Sequence, residues 1–263
     1  LGDSRRCLLI FRWRGVVCGR SVVPAQDGSV ERQAVLTAAA ALGADALRVW
    51  SEDALGFDDR PVQAPADRPS VTVAICTRER PEDLRRALIA VTALDPLADE
   101  ILVVDNAPQS DRTEREVARH PGVRYVVAPQ PGLDAARNCA LREAAGAIVA
   151  FTDDDAVPEP GWAGALCRNF ADPRVLLVTG LVLPLELDTV AQEQFEEYCP
   201  FGRGFVRRVF DGRVDHPLLV SRIGAGASMA VRRELPSLAG AFDERLDAGT
   251  PARSGGDHAM FTA

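Results

Sequence analysis

Residues 147–155 read AIVAFTDDD, a short apolar run from Ala147 to Phe151 that ends on three consecutive carboxylates, Asp153, Asp154 and Asp155. Upstream, Leu133 to Ala145 has helical character and is closed by Gly146, and Val123 to Val127 reads as a strand. Further back, Thr113 to Arg119 fits a helix, Glu100 to Asp105 a strand ending on a carboxylate, and Val71 to Cys76 another short apolar strand. Between these last two, Pro81-Glu82-Asp83 puts acidic residues in a first helical turn, and Leu84, Ala87, Leu88 and Val91 give that helix an apolar face. Strands alternating with helices at this spacing predict an α/β chain with a mostly parallel sheet and helices on both faces. In such sheets ligands gather at the carboxyl ends of the strands. Thr77 and Arg78, Asp105 and Asn106, and Asp153 to Asp155 all fall at such ends.

Three adjacent carboxylates after a buried strand repel one another and are costly to desolvate unless a cation or hydrogen-bond donors compensate them. Hard divalent metals bind carboxylate oxygens and keep positions open for phosphate, so this is the expected seat of a metal-diphosphate. The competing reading is a solvated acidic loop with a helix-capping Asp. Asp105 suits a nucleobase imide or a ribose hydroxyl, and equally the start of a turn with Asn106. Arg137 is placed either to reach a phosphate or the nearby carboxylates, or simply on a helix surface.

Val71 to Arg78 (VTVAICTR), Glu100 to Asn106 (EILVVDN), Gly132 to Asn138 (GLDAARN) and Phe151 to Asp155 (FTDDD) occur in an order and spacing that resembles family 2 glycosyltransferases. The resemblance runs from Val71 to the end of the chain. It implies a GT-A fold, a Rossmann-like mostly parallel central sheet flanked by helices. By the same resemblance Thr77 and Arg78 line a nucleotide-sugar, Asp105 reads the base, and Arg137 lies near the base or phosphates. Asp153 and Asp155 would form a DxD pair that holds Mn2+ or Mg2+ against the diphosphate, with Asp154 also on the donor side. Pro158 to Trp162 (PEPGW) then leads towards the acceptor half.

A later motif, Gly249 to His258 (GTPARSGGDH), is similar to the family's Gly-Gly-Glu-Asp element, whose last carboxylate deprotonates the acceptor hydroxyl. Asp257 takes that catalytic position, and Gly256 stands where a Glu is usual. Asp257 is also an N-cap candidate for the helix that follows, and His258 reads as a surface residue. One base opposite a departing diphosphate implies inversion at the anomeric carbon, hence an inverting transferase of the hexosyltransferase type. Val175 to Leu183 is expected as a strand. Ser221 to Val231 reads either as a strand with Gly224 and Gly226 approaching a sugar or as a Gly-rich turn before a strand.

Composition narrows the alternatives. The 263 residues are 47% hydrophobic and carry a net charge of −8, and all 30 basic residues are arginine. That balance argues against a general nucleic-acid binder. The six cysteines include no CxxC pair, so reduced thiols rather than a zinc site or a disulfide framework are expected. No apolar run approaches the roughly 18 residues of a membrane span. A cytoplasmic protein is the default, with peripheral membrane association an open alternative.

Residues 1–50 are expected to form a small strand-turn-strand-helix unit, residues 51–70 a linker, and residues 71–263 the GT-A domain, truncated at its C-terminus. The expected donor is a nucleotide-diphospho-sugar, a UDP-sugar first, and the acceptor is an unidentified hydroxyl. Two other functions fit the sequence less well. One is a nucleotide-sugar-binding module without transfer activity. The other is a sugar-phosphate nucleotidyltransferase, which would want a Gly-rich loop where this chain has Cys76 to Pro81.

Overall fold

The computed structural model describes residues 6–54, 68–202 and 204–262. It opens with strands β1 (Arg6–Trp13) and β2 (Val16–Pro24). They pair antiparallel around Arg14 and Gly15, which both take positive φ as a tight two-residue hairpin turn requires. Helices α1 (Arg32–Ala40) and α2 (Ala44–Ala54) follow. The alanine-rich stretch is thus two helices interrupted before Ala44, where Gly43 has low helix propensity. Because α2 extends to Ala54, the start of the expected linker is helical, and residues 55–67 of that linker lie outside the described residues.

The regular part contains β3 (Val71–Thr77), α3 (Pro81–Thr92), β4 (Glu100–Asn106), α4 (Arg112–Val117), β5 (Val123–Ala128), α5 (Leu133–Glu143) and β6 (Ile148–Asp153). Then come α6 (Trp162–Cys167), β7 (Leu177–Thr179), α7 (Val190–Tyr198), β8 (Ser228–Arg232), α8 (Leu235–Ala239) and α9 (Gly256–Thr262). The strand expected over 175–183 is only the three residues of β7. It ends where Gly180 packs on the Ser228 side chain. Of the two readings for 221–231, the Gly-rich turn before a strand is the one found, since β8 begins at Ser228.

The strands form a six-stranded sheet in the order β5-β4-β3-β6-β8-β7. β3, β4, β5 and β6 run parallel, and β8 is antiparallel to both β6 and β7. Side-chain alternation divides the core into two layers. Val73, Ile75, Val103, Ile148 and Ala150 face Leu84, Ala87, Leu88 and Val91 of α3 on one side. Ala74, Leu102, Val104, Val149 and Phe151 face Ala136, Cys139 and Ala140 of α5 on the other, joined by Phe242 and Met260.

The chain leaves β3 towards β4 and leaves β6 towards the opposite edge, so strand order reverses between β3 and β6, the usual place for a ligand in an open α/β sheet. Register sets the polar strand ends level there. Thr77 lies opposite Asp105, and Cys76 opposite Asp153.

The described residues divide into two compact units, those within 1–62 and 183–209, and those within 63–182 and 210–263. In the first, ion pairs from Arg6 to Glu193 and from Arg20 to Glu196 join the hairpin to α7, so residues 183–209, expected within the long domain, group with the N-terminal elements. The second contains the sheet. All six cysteines are unpaired thiols.

Candidate active site

The three aspartates at the end of β6, Asp153 to Asp155, have three different environments. Asp154 turns inward, where it accepts a hydrogen bond from the Thr77 hydroxyl at 2.6 Å and one from Arg80 Nη1 at 3.0 Å. Its side chain is 7% exposed, whereas that of Asp155 is 56% exposed and pairs with the same Arg80, at 3.2 Å. Asp153, the last residue of β6, is half-buried. Burial pushes its carboxyl up to about 6, against the pull of Arg137, with Asp155 and Asp257 adding repulsion. Asp154 therefore fastens β6 to the end of β3, leaving Asp153 and Asp155 as the pair available to a cation. Thr77, expected on the nucleotide, uses its hydroxyl on Asp154. Arg78 is exposed.

Arg137 is the charge centre of the site and is buried, not on the helix surface. Its Nη1 donates to Asp257 at 2.8 Å, Asp134 at 3.0 Å and Asp247 at 3.2 Å, while the guanidinium carbon stands 5.4 Å from the centre of the Phe242 ring. The surrounding carboxylates raise its pKa against the opposing effect of burial. Asp257, in the first turn of α9, also accepts the Gly226 N–H at 2.7 Å, so both its oxygens are engaged. A Cβ at Gly226 would collide with Arg137 and Asp257. The absent side chain at 226 thus makes room for protein groups.

Asp105 is fully buried at the end of β4 and does not start a turn in solvent. Tyr125 donates to its Oδ2 at 2.8 Å, while Oδ1 is buried without a hydrogen-bond partner, and burial raises its carboxyl above the ordinary range. Thr113 also acts on this carboxylate, lowering its pKa against the larger effect of burial. Asn106 beside it shapes the next loop, donating to the Gln130 carbonyl and accepting from the Gly132 N–H. Asn138 does the same for the later loop through both backbone groups of Phe242. Glu79 braces the loop after β4 by accepting from the Gln109 and Ser110 amides and from the Ser110 hydroxyl.

The structure thus gathers Asp153, Arg137 and Asp257 around one charge centre, sets Asp105 at the neighbouring strand end, and leaves His258 exposed. Reasoning from sequence missed Asp134, Asp247, Arg80, Glu79 and Tyr125. Asp134 lay inside the quoted GLDAARN motif but reads there as an ordinary acidic first-turn residue, and Asp247 sits in a loop with no local signal. Among the described residues, no three His, Cys, Asp or Glu side chains are arranged to hold a metal by themselves.

The model for glycosyl transferase family 2 matches residues 72–234. Glycosyltransferase AglE of Haloferax volcanii is 37% identical over 122 residues, covering 43% of this chain and 40% of its own. The succinoglycan biosynthesis protein ExoM of Rhizobium meliloti is 31% identical over 124 residues, covering 45% and 40%. The chain thus spans about two fifths of the length of these curated relatives. Among solved structures, a mannosyltransferase from Pyrobaculum calidifontis, in complex with GDP-mannose and Mn2+, is similar at 24% identity and a TM-score of 0.50 over 86% of this chain and 61% of that one. The sheet is that of the GT-A glycosyltransferases.

Proposed function

The chain belongs to glycosyl transferase family 2, and from that premise we propose that it transfers a sugar from a nucleotide-diphospho-sugar to an acceptor hydroxyl with inversion at the anomeric carbon. The observation that carries the reading is the shared guanidinium of Arg137, which brings Asp257 to the same charge centre as Asp153 although they come from distant parts of the chain. Asp105, with one unpartnered oxygen, is the group to accept a nucleobase N–H. A uracil base is the first to test, and guanine the next.

Asp153 and Asp155 would hold the metal. The fit rests on the donor set and its placement: Asp153 ends β6, Asp155 two residues on is exposed, and both offer hard oxygen donors. Two protein oxygens leave the remaining positions to phosphate and water, as Mg2+ and Mn2+ sites at diphosphates do. Bound there, the metal supplies neutralisation of charge on the departing diphosphate. Mn2+ is the metal of the Pyrobaculum structure and the first to test.

This chain's residues then have separate tasks. Arg137 and the Gly226 N–H hold the Asp257 carboxylate in one orientation. Asp257 takes the proton of the acceptor hydroxyl as its oxygen bonds to the anomeric carbon and the bond to the diphosphate breaks. Thr77 and Arg80, through Asp154, keep the β6 loop in place. The engagement of both Asp257 oxygens favours one alternative, a donor-binding module in which this carboxylate is purely structural.

Nucleotide-sugar hydrolysis with Mn2+ separates the two. Asp257→Asn is expected to abolish turnover while the thermal shift caused by UDP and Mn2+ persists. Turnover equal to wild type in that variant would remove Asp257 as the base, and donor binding without any wild-type turnover would favour the module.

A further inference from the structure

We propose that Asp134 is a positioning residue for Asp257, acting through Arg137, and that its carboxylate occupies from α5 the space that a side chain at position 256 would need. The inference deepens the transfer reading and rests on it for its activity readout. Asp134 is completely buried. One oxygen accepts from Arg137 Nη1, and the other is buried with no hydrogen-bond partner.

That second oxygen lies against Gly256. A Cβ built on Gly256 would overlap Asp134 Oδ2 and come within 2.6 Å of Asp247 Oδ2. Gly256 is not in the left-handed region, so the obstacle to a side chain there is occupied space and not backbone strain. Burial pushes the Asp134 carboxyl up to about 6, opposed by Arg137.

One guanidinium nitrogen has two N–H bonds, yet Arg137 Nη1 faces three carboxylates. The direction of the nitrogen is therefore set by the balance of Asp134, Asp247 and Asp257. Removing Asp134 takes away the pull from α5 and lets Arg137 and Asp257 turn together. It does not orphan Arg137, which keeps two carboxylates. A buried ion pair is weak evidence of a contribution to stability, and the contact of Asp134 with the same guanidinium nitrogen that holds Asp257 places its effect on the orientation of that carboxylate.

The place can be filled from either side. A Glu at 256 without Asp134 would offer a carboxylate to the same centre from the start of α9, where acidic residues suit the helix dipole.

The test is a cycle of Asp134→Ser, Gly256→Glu and the double variant, each followed by Mn2+-dependent UDP-sugar hydrolysis and by thermal unfolding. Asp134→Ser is expected to lower kcat by about 10- to 100-fold, the scale of a misplaced catalytic group, with donor KM within about twofold. Its unfolding midpoint should be unchanged or raised. Gly256→Glu alone is expected to lose activity and midpoint together through collision with Asp134. The double variant should regain most of both.

A double variant no more active than the worse single would overturn the proposal, as would an Asp134→Ser protein that loses midpoint in proportion to activity. Should wild type turn over no donor, the transfer reading fails on its own, and the midpoints decide the occupancy of the shared place. A double variant as unstable as Gly256→Glu then rejects it, and a recovered one sustains it.

Discussion

The carboxylates at the strand ends and those around Arg137 stand in the same compact unit but are held by different means. Asp105 and Asp153 are placed by backbone register, since β3, β4 and β6 run parallel and end level, with Thr77 opposite Asp105 and Cys76 opposite Asp153. Asp134, Asp247 and Asp257 are placed by one another's charge, through a single cation contributed by α5. Displacing a registered residue means breaking a ladder of strand hydrogen bonds. The carboxylates of the second set depend instead on side-chain contacts, the shared guanidinium foremost and, for Asp257, the Gly226 N–H. The proposed donor side is thus held through backbone register, and the side of the proposed base through side-chain contacts.

Replacing the cation strains this contrast most. Arg137→Leu leaves Asp134, Asp247 and Asp257 without their shared donor. Removing one partner from a buried ion pair typically costs about 3–5 kcal/mol, and urea unfolding at neutral pH should show a loss of that order. The direction with pH follows from Asp134. Its folded carboxyl is already raised to about 6, and without Arg137 it would rise further. A raised carboxyl means that the folded state binds more protons than the unfolded chain, so stability falls as pH rises from the unfolded value through the folded one. The deficit of the variant should therefore shrink as pH is lowered from 7 towards 5. A deficit independent of pH, or a variant as stable as wild type at pH 7, would show that the second set is not organised by charge.

The same contrast explains what could be read from the sequence. β3, β4 and β6 were visible because central parallel strands are continuously apolar, and their terminal carboxylates were visible because they interrupt that pattern. Asp105 and Asp153 followed directly. Asp154 could not be separated from its neighbours by pattern, because its inward turn depends on Thr77 and Arg80, more than seventy residues away. Asp134 looked like an ordinary acidic residue in a first helical turn, and nothing local marked Asp247 in its loop. Both matter through contacts with Arg137 and Gly256 that only the fold creates. The shortness of β7 and the grouping of residues 183–209 with the N-terminal hairpin likewise depend on distant partners, Ser228 and the arginines of β1 and β2.

Within the aspartate triplet the division can be tested at single-residue scale. Asp154→Ala removes a buried acceptor used by Thr77 and Arg80, and leaving a buried donor unsatisfied costs about 1–3 kcal/mol. Chemical denaturation of the variant should show a loss in that range without added ligand. An unaltered midpoint would mean that the β6 loop is held by something other than this side chain.

Asp155→Ala should have the smallest effect on the fold and a complete effect on the metal. Its ion pair with Arg80 joins two half-exposed side chains, and pairs of that kind contribute about 0–1 kcal/mol. The unliganded variant is therefore expected to unfold within about 0.5 kcal/mol of wild type, as surface substitutions usually do. The wild-type midpoint should rise when Mn2+ is added with UDP, because a ligand that binds only the folded state stabilises it by an amount that grows with the logarithm of its concentration. In Asp155→Ala that added rise should vanish while the smaller shift from UDP alone remains, since the base contact proposed for Asp105 is untouched. A retained Mn2+ response would take Asp155 out of the metal pair. A stability loss as large as that of Asp154→Ala would mean that adjacent aspartates at the end of one strand do not divide the work between fold and ligand.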